Sequence, residues 1–183
     1  MNSNNVFIDI KKGEDLTLFE IDLLNSSKAR EWQLPPMKES DLKRALWFLV
    51  RNSEKAILAQ GELIPIDGVS FNSKRYNIYG IGGIIANVKM QGYGKKLMQA
   101  IASYLEKARK TGVGFTGKPE FYRKCGWLVD VEPLARFVYL EGKKEVHNEN
   151  DQTVFYNFGE DNFMKEVVKN PSEKVYLPRY PNW

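Results

Sequence analysis

The sequence predicts a single α/β domain of the α+β type over residues 1–183, a mixed and mostly antiparallel sheet flanked by helices. Three observations lead there. Short runs rich in Ile, Val, Phe and Tyr follow one another along the chain, and only one long segment carries strong helical periodicity. The hydrophobic and aromatic shares, 43% and 13%, suit one ordinary core at this length. No internal repeat, low-complexity tract or linker divides the chain.

The elements follow in order. Val6–Ile10 reads as a strand, Lys11–Asp15 as a turn and Leu16–Leu24 as a helix. Asn25–Lys43 is polar and holds Pro35 and Pro36, so a continuous helix is not expected there. Its apolar residues Trp32, Leu34 and Met37 either tuck under the sheet edge or line a binding pocket; loops favour the second reading. Ala45–Arg51 and Ala56–Ile66 form an antiparallel hairpin about Asn52–Lys55, with Pro65 at its end and a further turn at Asp67–Gly68. Tyr76–Ala86 is a buried strand crowded with Gly80, Gly82 and Gly83, which suggests a ligand against its backbone. Gly92–Lys110 is the best helix, with Met98, Ala102 and Leu105 on one face and Gly112 as its left-handed cap. Val113–Thr116 is a short strand, and a helix begins near Pro119 and stops at Gly126. Leu128–Val129, Ala135–Leu140 and Thr153–Phe158 are closing strands, Lys143–Asp151 is a polar hairpin loop and Asp161–Val168 is helical. The tail from Val175 to Trp183 is aromatic and rich in proline.

Composition excludes several classes. The net charge of +4 is spread along the chain, so it suits an anionic small molecule and gives no block for nucleic acid. Cys125 is the only cysteine and His147 the only histidine, which leaves no zinc set of the usual kind; no metal is expected. Cys125 reads as an inert buried thiol and His147 as a surface residue. The first residues are polar and uncharged, unlike a signal peptide, and no apolar run approaches the ~20 residues of a membrane helix. A cytoplasmic protein without membrane partners is expected. The oligomeric state is left open, a homodimer included.

The informative run is Gly82 to Leu97. A buried strand ends in a short basic turn, and the turn opens a helix. Such a junction gathers backbone N–H groups whose partial charge adds to the helix dipole. Gly92 and Gly94 let the backbone approach a ligand, and Lys89, Lys95 and Lys96 surround the same point. Phosphate or pyrophosphate is the simplest ligand. The P-loop and the dinucleotide fingerprint both fail, because Lys96 follows Gly94-Lys95 and Leu97 stands where a third glycine belongs.

Lys89-Met90-Gln91-Gly92-Tyr93-Gly94 resembles the acyl-CoA loop, Gln/Arg-x-x-Gly-x-Gly/Ala, of the GNAT N-acetyltransferase superfamily. Lys89 replaces the usual Arg or Gln, and Ala86 stands where proline is common. Tyr122-Arg123-Lys124-Cys125-Gly126-Trp127 is similar to that family's Tyr-x-x-x-Gly-Phe/Trp stretch and falls at the expected distance. The resemblance implies a GNAT-like fold with acyl-CoA in the splay between central strands. Acetyl-CoA would contact Gly83, Ile84, Ile85, Lys89, Met90, Gln91, Gly92, Tyr93, Gly94, Lys95 and Thr116. It further implies direct transfer of the acetyl group to a primary amine, most simply on a small molecule. A protein N-terminus or lysine as acceptor, and a non-catalytic acyl-CoA sensor, are the alternatives.

Three chemical tasks follow. Amides near Gly83–Ile85 can polarise the thioester carbonyl if the strand bulges there. Tyr122, a phenol of ordinary pKa about 10, can protonate the departing thiolate. The base is not determined: Tyr76–Ala86 holds no carboxylate, and Glu62, Glu31, Glu39, Asp41 and the carboxylate of Trp183 are all candidates. Trp32, Glu62 and Trp183 are the expected acceptor contacts. The order of elements and the aromatic C-terminus are similar to aminoglycoside N-acetyltransferases of the superfamily.

Overall fold

A computed structural model describes residues 5–130, 136–147 and 153–178. The chain forms two compact units, Met1–Ile64 with Gly83–Ile101, and Pro65–Gly82 with Ala102–Trp183. Two long strands, β3 (Ile57–Phe71) and β4 (Lys74–Ala86), contribute to both.

In the first unit β1 (Phe7–Lys12) pairs antiparallel with β2 (Leu46–Arg51), and β2 pairs antiparallel with β3. Helix α1 (Leu18–Trp32) is longer than the sequence reading of Leu16–Leu24. Its start is a complete capping box: Thr17 accepts from the Glu20 amide, and the Glu20 side chain accepts from the Thr17 amide. It runs through polar Asn25–Lys28 because those side chains find partners, Ser27 on Asn87 and Lys28 on Glu62. Gln33 ends it at φ 56, before the prolines. A short α2 (Glu39–Arg44) precedes β2. Helix α3 (Tyr93–Ala108) follows β4. Its Leu97 and Ile101 lie over Gly61 of β3, where a Cβ would stand 2.5 Å from Ile84 Cδ1 and 3.3 Å from Leu97 Cδ2.

The second unit carries β5 (Gly112–Thr116), α4 (Pro119–Lys124), β6 (Leu128–Asp130), β7 (Phe137–Glu141), β8 (Lys144–His147), β9 (Thr153–Tyr156), α5 (Phe163–Lys169) and β10 (Val175–Leu177). Its strand order is β6-β9-β5-β4-β3-β10-β7-β8. Pairing is antiparallel except for β4 with β5 and β7 with β10, so the mixed, mostly antiparallel expectation holds. Phe163, wholly buried, meets Phe71, Tyr76 and Phe137 at ring distances of 5.1–6.5 Å.

Three sequence expectations need correction here. Asp67–Gly68 is no turn: Gly68 takes φ +79 inside β3, its amide held by Asn77 Oδ1 at 3.0 Å, and the hairpin closes at Asn72–Ser73, both left-handed. Gly112 does not cap α3; Arg109 takes the left-handed turn at φ 58. Gly112 is needed for packing instead, since a Cβ there would stand 2.5 Å from Leu105. Lys143–Asp151 is not all loop, because Lys144–His147 pairs with β7 as β8.

Candidate functional site

The junction between β4 and α3 lies within the first unit. Gly83 takes φ +62 inside β4, a left-handed conformation that favours glycine. A Cβ at Gly83 would stand 2.9 Å from Glu62 Oε1 and 3.3 Å from Lys28 Cε. Backbone conformation and space therefore both require glycine. Of the residues after it, Ile84 is half-buried and Ile85 is buried. The register of β4 with β5 covers only Tyr79↔Gly112 and Gly80↔Val113.

Glu62 and Lys28 are 4% and 9% exposed and form an ion pair at 2.7 Å, with the ammonium 5.5 Å from the Trp47 ring centroid. Tyr76–Ala86 holds no carboxylate, and the one that faces Gly83 belongs to Glu62 of β3. Lys28 had no role in the sequence reading. Its partner lies 34 positions away, and no local spacing announces the pair.

Where β4 ends, Asn87 ties three elements together. Its side-chain oxygen accepts from Ser27 Oγ at 2.9 Å and Arg30 Nη2 at 3.0 Å, and its amide donates to Ile57 O at 3.1 Å. The backbone amides of Asn87 and Val88 donate to Leu58 O at 2.9 and 3.2 Å. The turn that follows is anchored at its base and open at its tip. Met90 is 98% exposed at φ 60, and Gln91 and Gly92 are exposed. Gly92 takes φ +76, and beyond its two chain neighbours nothing lies within 4 Å of where its Cβ would be.

The first intrahelical bond of α3 runs from the Lys96 amide to Gly92 O at 3.1 Å. The amides of Tyr93, Gly94 and Lys95 therefore precede the helical ladder. Tyr93 is half-buried and Gly94 buried, while Lys95 and Lys96 are exposed. No acidic residue stands in this first turn. Two ammonium groups at the positive end of a 16-residue helix oppose the dipole, and an anion would relieve both. Lys89, read as a phosphate ligand, pairs with Glu31 at 2.8 Å.

In the second unit Tyr122 is 8% exposed on α4, its ring stacked on Phe155 at 3.7 Å and 18°. Its carbonyl accepts from the Trp127 amide at 3.1 Å across Gly126, whose φ of +89 permits the reversal. Trp127 lies edge-on to Phe155 at 5.7 Å, and its indole N–H is buried without a hydrogen-bond partner. Thr116 is buried, its hydroxyl accepting from the Lys118 amide at 2.9 Å. Cys125 is half-buried and His147 exposed. Trp32 is 41% exposed at the end of α1; Trp183 lies outside the described residues. Among the described residues no His, Cys, Asp and Glu cluster could hold a metal, and no helix is long and apolar enough to cross a membrane.

No protein-family model matches the sequence, and no curated protein matches it. Solved structures do. The chain superposes on the GNAT family N-acetyltransferase YhbS of Escherichia coli, solved in complex with CoA, at a TM-score of 0.58 and 10% identity. That match covers 97% of this chain and 92% of the other. An acyl-CoA N-acyltransferase of Pseudomonas aeruginosa matches at 0.58 and 16% identity, over 84% of this chain and 99% of the other. A conserved protein of unknown function from Enterococcus faecalis matches at 0.56 and 17% identity, over 67% of this chain; the chain spans only 32% of that protein's length. The fold is that of the GNAT N-acetyltransferases.

Proposed function

We propose that the chain is an acetyl-CoA-dependent N-acetyltransferase that passes the acetyl group directly to a primary amine on a small molecule. The observation that carries this reading is the start of α3, where an open glycine turn and two lysines meet a helix dipole with no acid in the helix's first turn. A diphosphate supplies the missing anion, and the fold is one in which YhbS binds CoA. Lys89, Met90, Gln91, Gly92, Tyr93, Gly94 and Lys95 form the proposed diphosphate contacts. Gly83, Ile84 and Ile85 address the pantetheine and the thioester oxygen, with Thr116 as a further cofactor contact.

When bound, the cofactor supplies an acetyl group activated as a thioester. The chain supplies amides for the carbonyl oxygen and a carboxylate, Glu62, for the amine. Tyr122 is assigned the protonation of the thiolate, on the strength of its sequence pattern. Trp32 and Trp183 complete the proposed acceptor contacts.

The test is a free-thiol release assay with acetyl-CoA against a panel of small amines and peptides, beside calorimetry with acetyl-CoA and CoA. Micromolar binding with amine-dependent thiol release supports the reading. Release with peptides alone moves the acceptor to protein amines, binding without release makes the chain a sensor, and no binding overturns all three. Tyr122→Phe is expected to lower turnover by roughly 10²-fold with cofactor affinity unchanged; unchanged turnover removes Tyr122 from the mechanism.

A further inference from the structure

We propose that Lys28 is a self-acetylation site, modified in place by the acetyl-CoA bound to its own chain. The inference rests on the acetyl-CoA reading above and adds an acceptor that lies inside the protein. Among the described residues Lys28 is the only buried lysine. Its ammonium is held 2.7 Å from Glu62 Oε1 and over Trp47, which fixes the amine in one place. Its Cε stands 3.3 Å from the point where a Cβ of Gly83 would be, so no side chain separates it from the backbone of β4 there. Gly83 takes a left-handed φ of +62 inside β4, the place where the proposed reading puts the thioester carbonyl. An amine, a carboxylate to take its proton and the left-handed Gly83 backbone thus meet within one unit of the fold. Held amines react as if at very high concentration.

Glu62 takes a proton from the Lys28 ammonium, and the neutral nitrogen attacks the thioester carbonyl. The carbon–nitrogen bond forms and the carbon–sulfur bond breaks. Of the two protons the nitrogen loses, one ends on the thiolate and the other leaves through Glu62 to solvent. The products are Nε-acetyl-Lys28 and CoA.

The prediction runs against ordinary reactivity. Uncatalysed acetylation follows exposure, so exposed side chains such as Lys12 (71%) and Lys89 (59%) should react long before Lys28 (11%). The experiment incubates the full-length native chain with acetyl-CoA and follows intact mass and peptide maps, with cofactor binding measured separately by calorimetry. The expected result is one added acetyl group, on Lys28, ahead of every exposed lysine. Its first-order rate should not depend on protein concentration. Urea-unfolded chain should lose this preference, Lys28→Arg should abolish the single modification, and Glu62→Gln should slow it by roughly 10²-fold. Cofactor binding and acetylation of external amines with Lys28 unmodified overturns this inference and leaves the proposed function standing. Modification in order of exposure, or at a rate rising with protein concentration, overturns it too. Absence of cofactor binding overturns both.

Discussion

Two helices of the first unit begin in opposite ways. Helix α1 starts with every charge answered. Thr17 and Glu20 cap each other, and Glu20 also accepts from Lys11 at 2.8 Å and from Arg51. Arg51 in turn reaches Asp9 at 2.9 Å and Lys55 O at 2.8 Å. Helix α3 starts with Lys95 and Lys96 in its first turn and no acid. A folding chain gains from the first arrangement and loses from the second. The difference separates a junction finished by its own side chains from one that a ligand finishes, and local rules broken without internal compensation are expected at functional sites.

The largest effect should come from damage to the finished junction. Glu20→Ala leaves Arg51 buried and short of a carboxylate, and is expected to cost roughly 3–5 kcal/mol of stability in denaturant melts. Cofactor affinity of the folded fraction should stay the same. A large loss of affinity at full folding would mean that α1's start is not mere scaffold.

Acid should act at the same place. Burial pushes the Glu20 carboxyl upward, but hydrogen bonds from Lys11 and from the amide and hydroxyl of Thr17, with the Lys11 charge, outweigh it and hold the pKa at about 2. A depressed carboxyl stabilises the fold above its ordinary value of 4.5 and ceases to do so as pH falls from there towards 2. The loss amounts to about 3 kcal/mol at most. Thermal melts from pH 6 to pH 2.5 check it: wild type should lose stability more steeply than Glu20→Gln.

The unfinished junction should respond with the opposite sign. Replacing Lys95 and Lys96 by Glu is expected to weaken acetyl-CoA binding by roughly 10²-fold through lost charge and added repulsion. The same change should raise the stability of the cofactor-free protein by about 0.3–1 kcal/mol per site, because acids suit a helix start. Affinity falling while stability rises identifies a ligand-completed helix end. Both falling together would mean that the lysines serve the fold.

Much of this was legible in sequence. The strands appear as alternating or continuous apolar runs, and the glycines of β4 and the turn before α3 mark where backbone conformation is unusual. Gly83 and Gly92 do take positive φ, at +62 and +76. Illegible features depended on distant partners. Asn25–Lys28 looks too polar for a helix until Asn87 and Glu62 are seen to satisfy Ser27 and Lys28. Gly68 and Gly112 look like turn and cap residues, because a glycine's sequence does not distinguish a bulge or a tight contact from a turn. Glu62 reads as one candidate base among several, since nothing nearby in sequence reveals its buried cation.

The smallest effect tests whether Lys89 belongs to the finished or the unfinished side. Its pair with Glu31 is half in solvent, at 59% and 23% exposure, so the pair contributes little to stability. If Glu31 competes with the diphosphate for the ammonium, Glu31→Gln should tighten acetyl-CoA binding about 2–3-fold at low salt, and the gain should vanish by about 0.5 M salt through screening. Calorimetry at two ionic strengths measures this. Weaker binding by Glu31→Gln would give the carboxylate the opposite role: it would aim Lys89 at the cofactor, as Glu20 aims Arg51, and the open junction would prove to be partly prepared by the same device that closes the other.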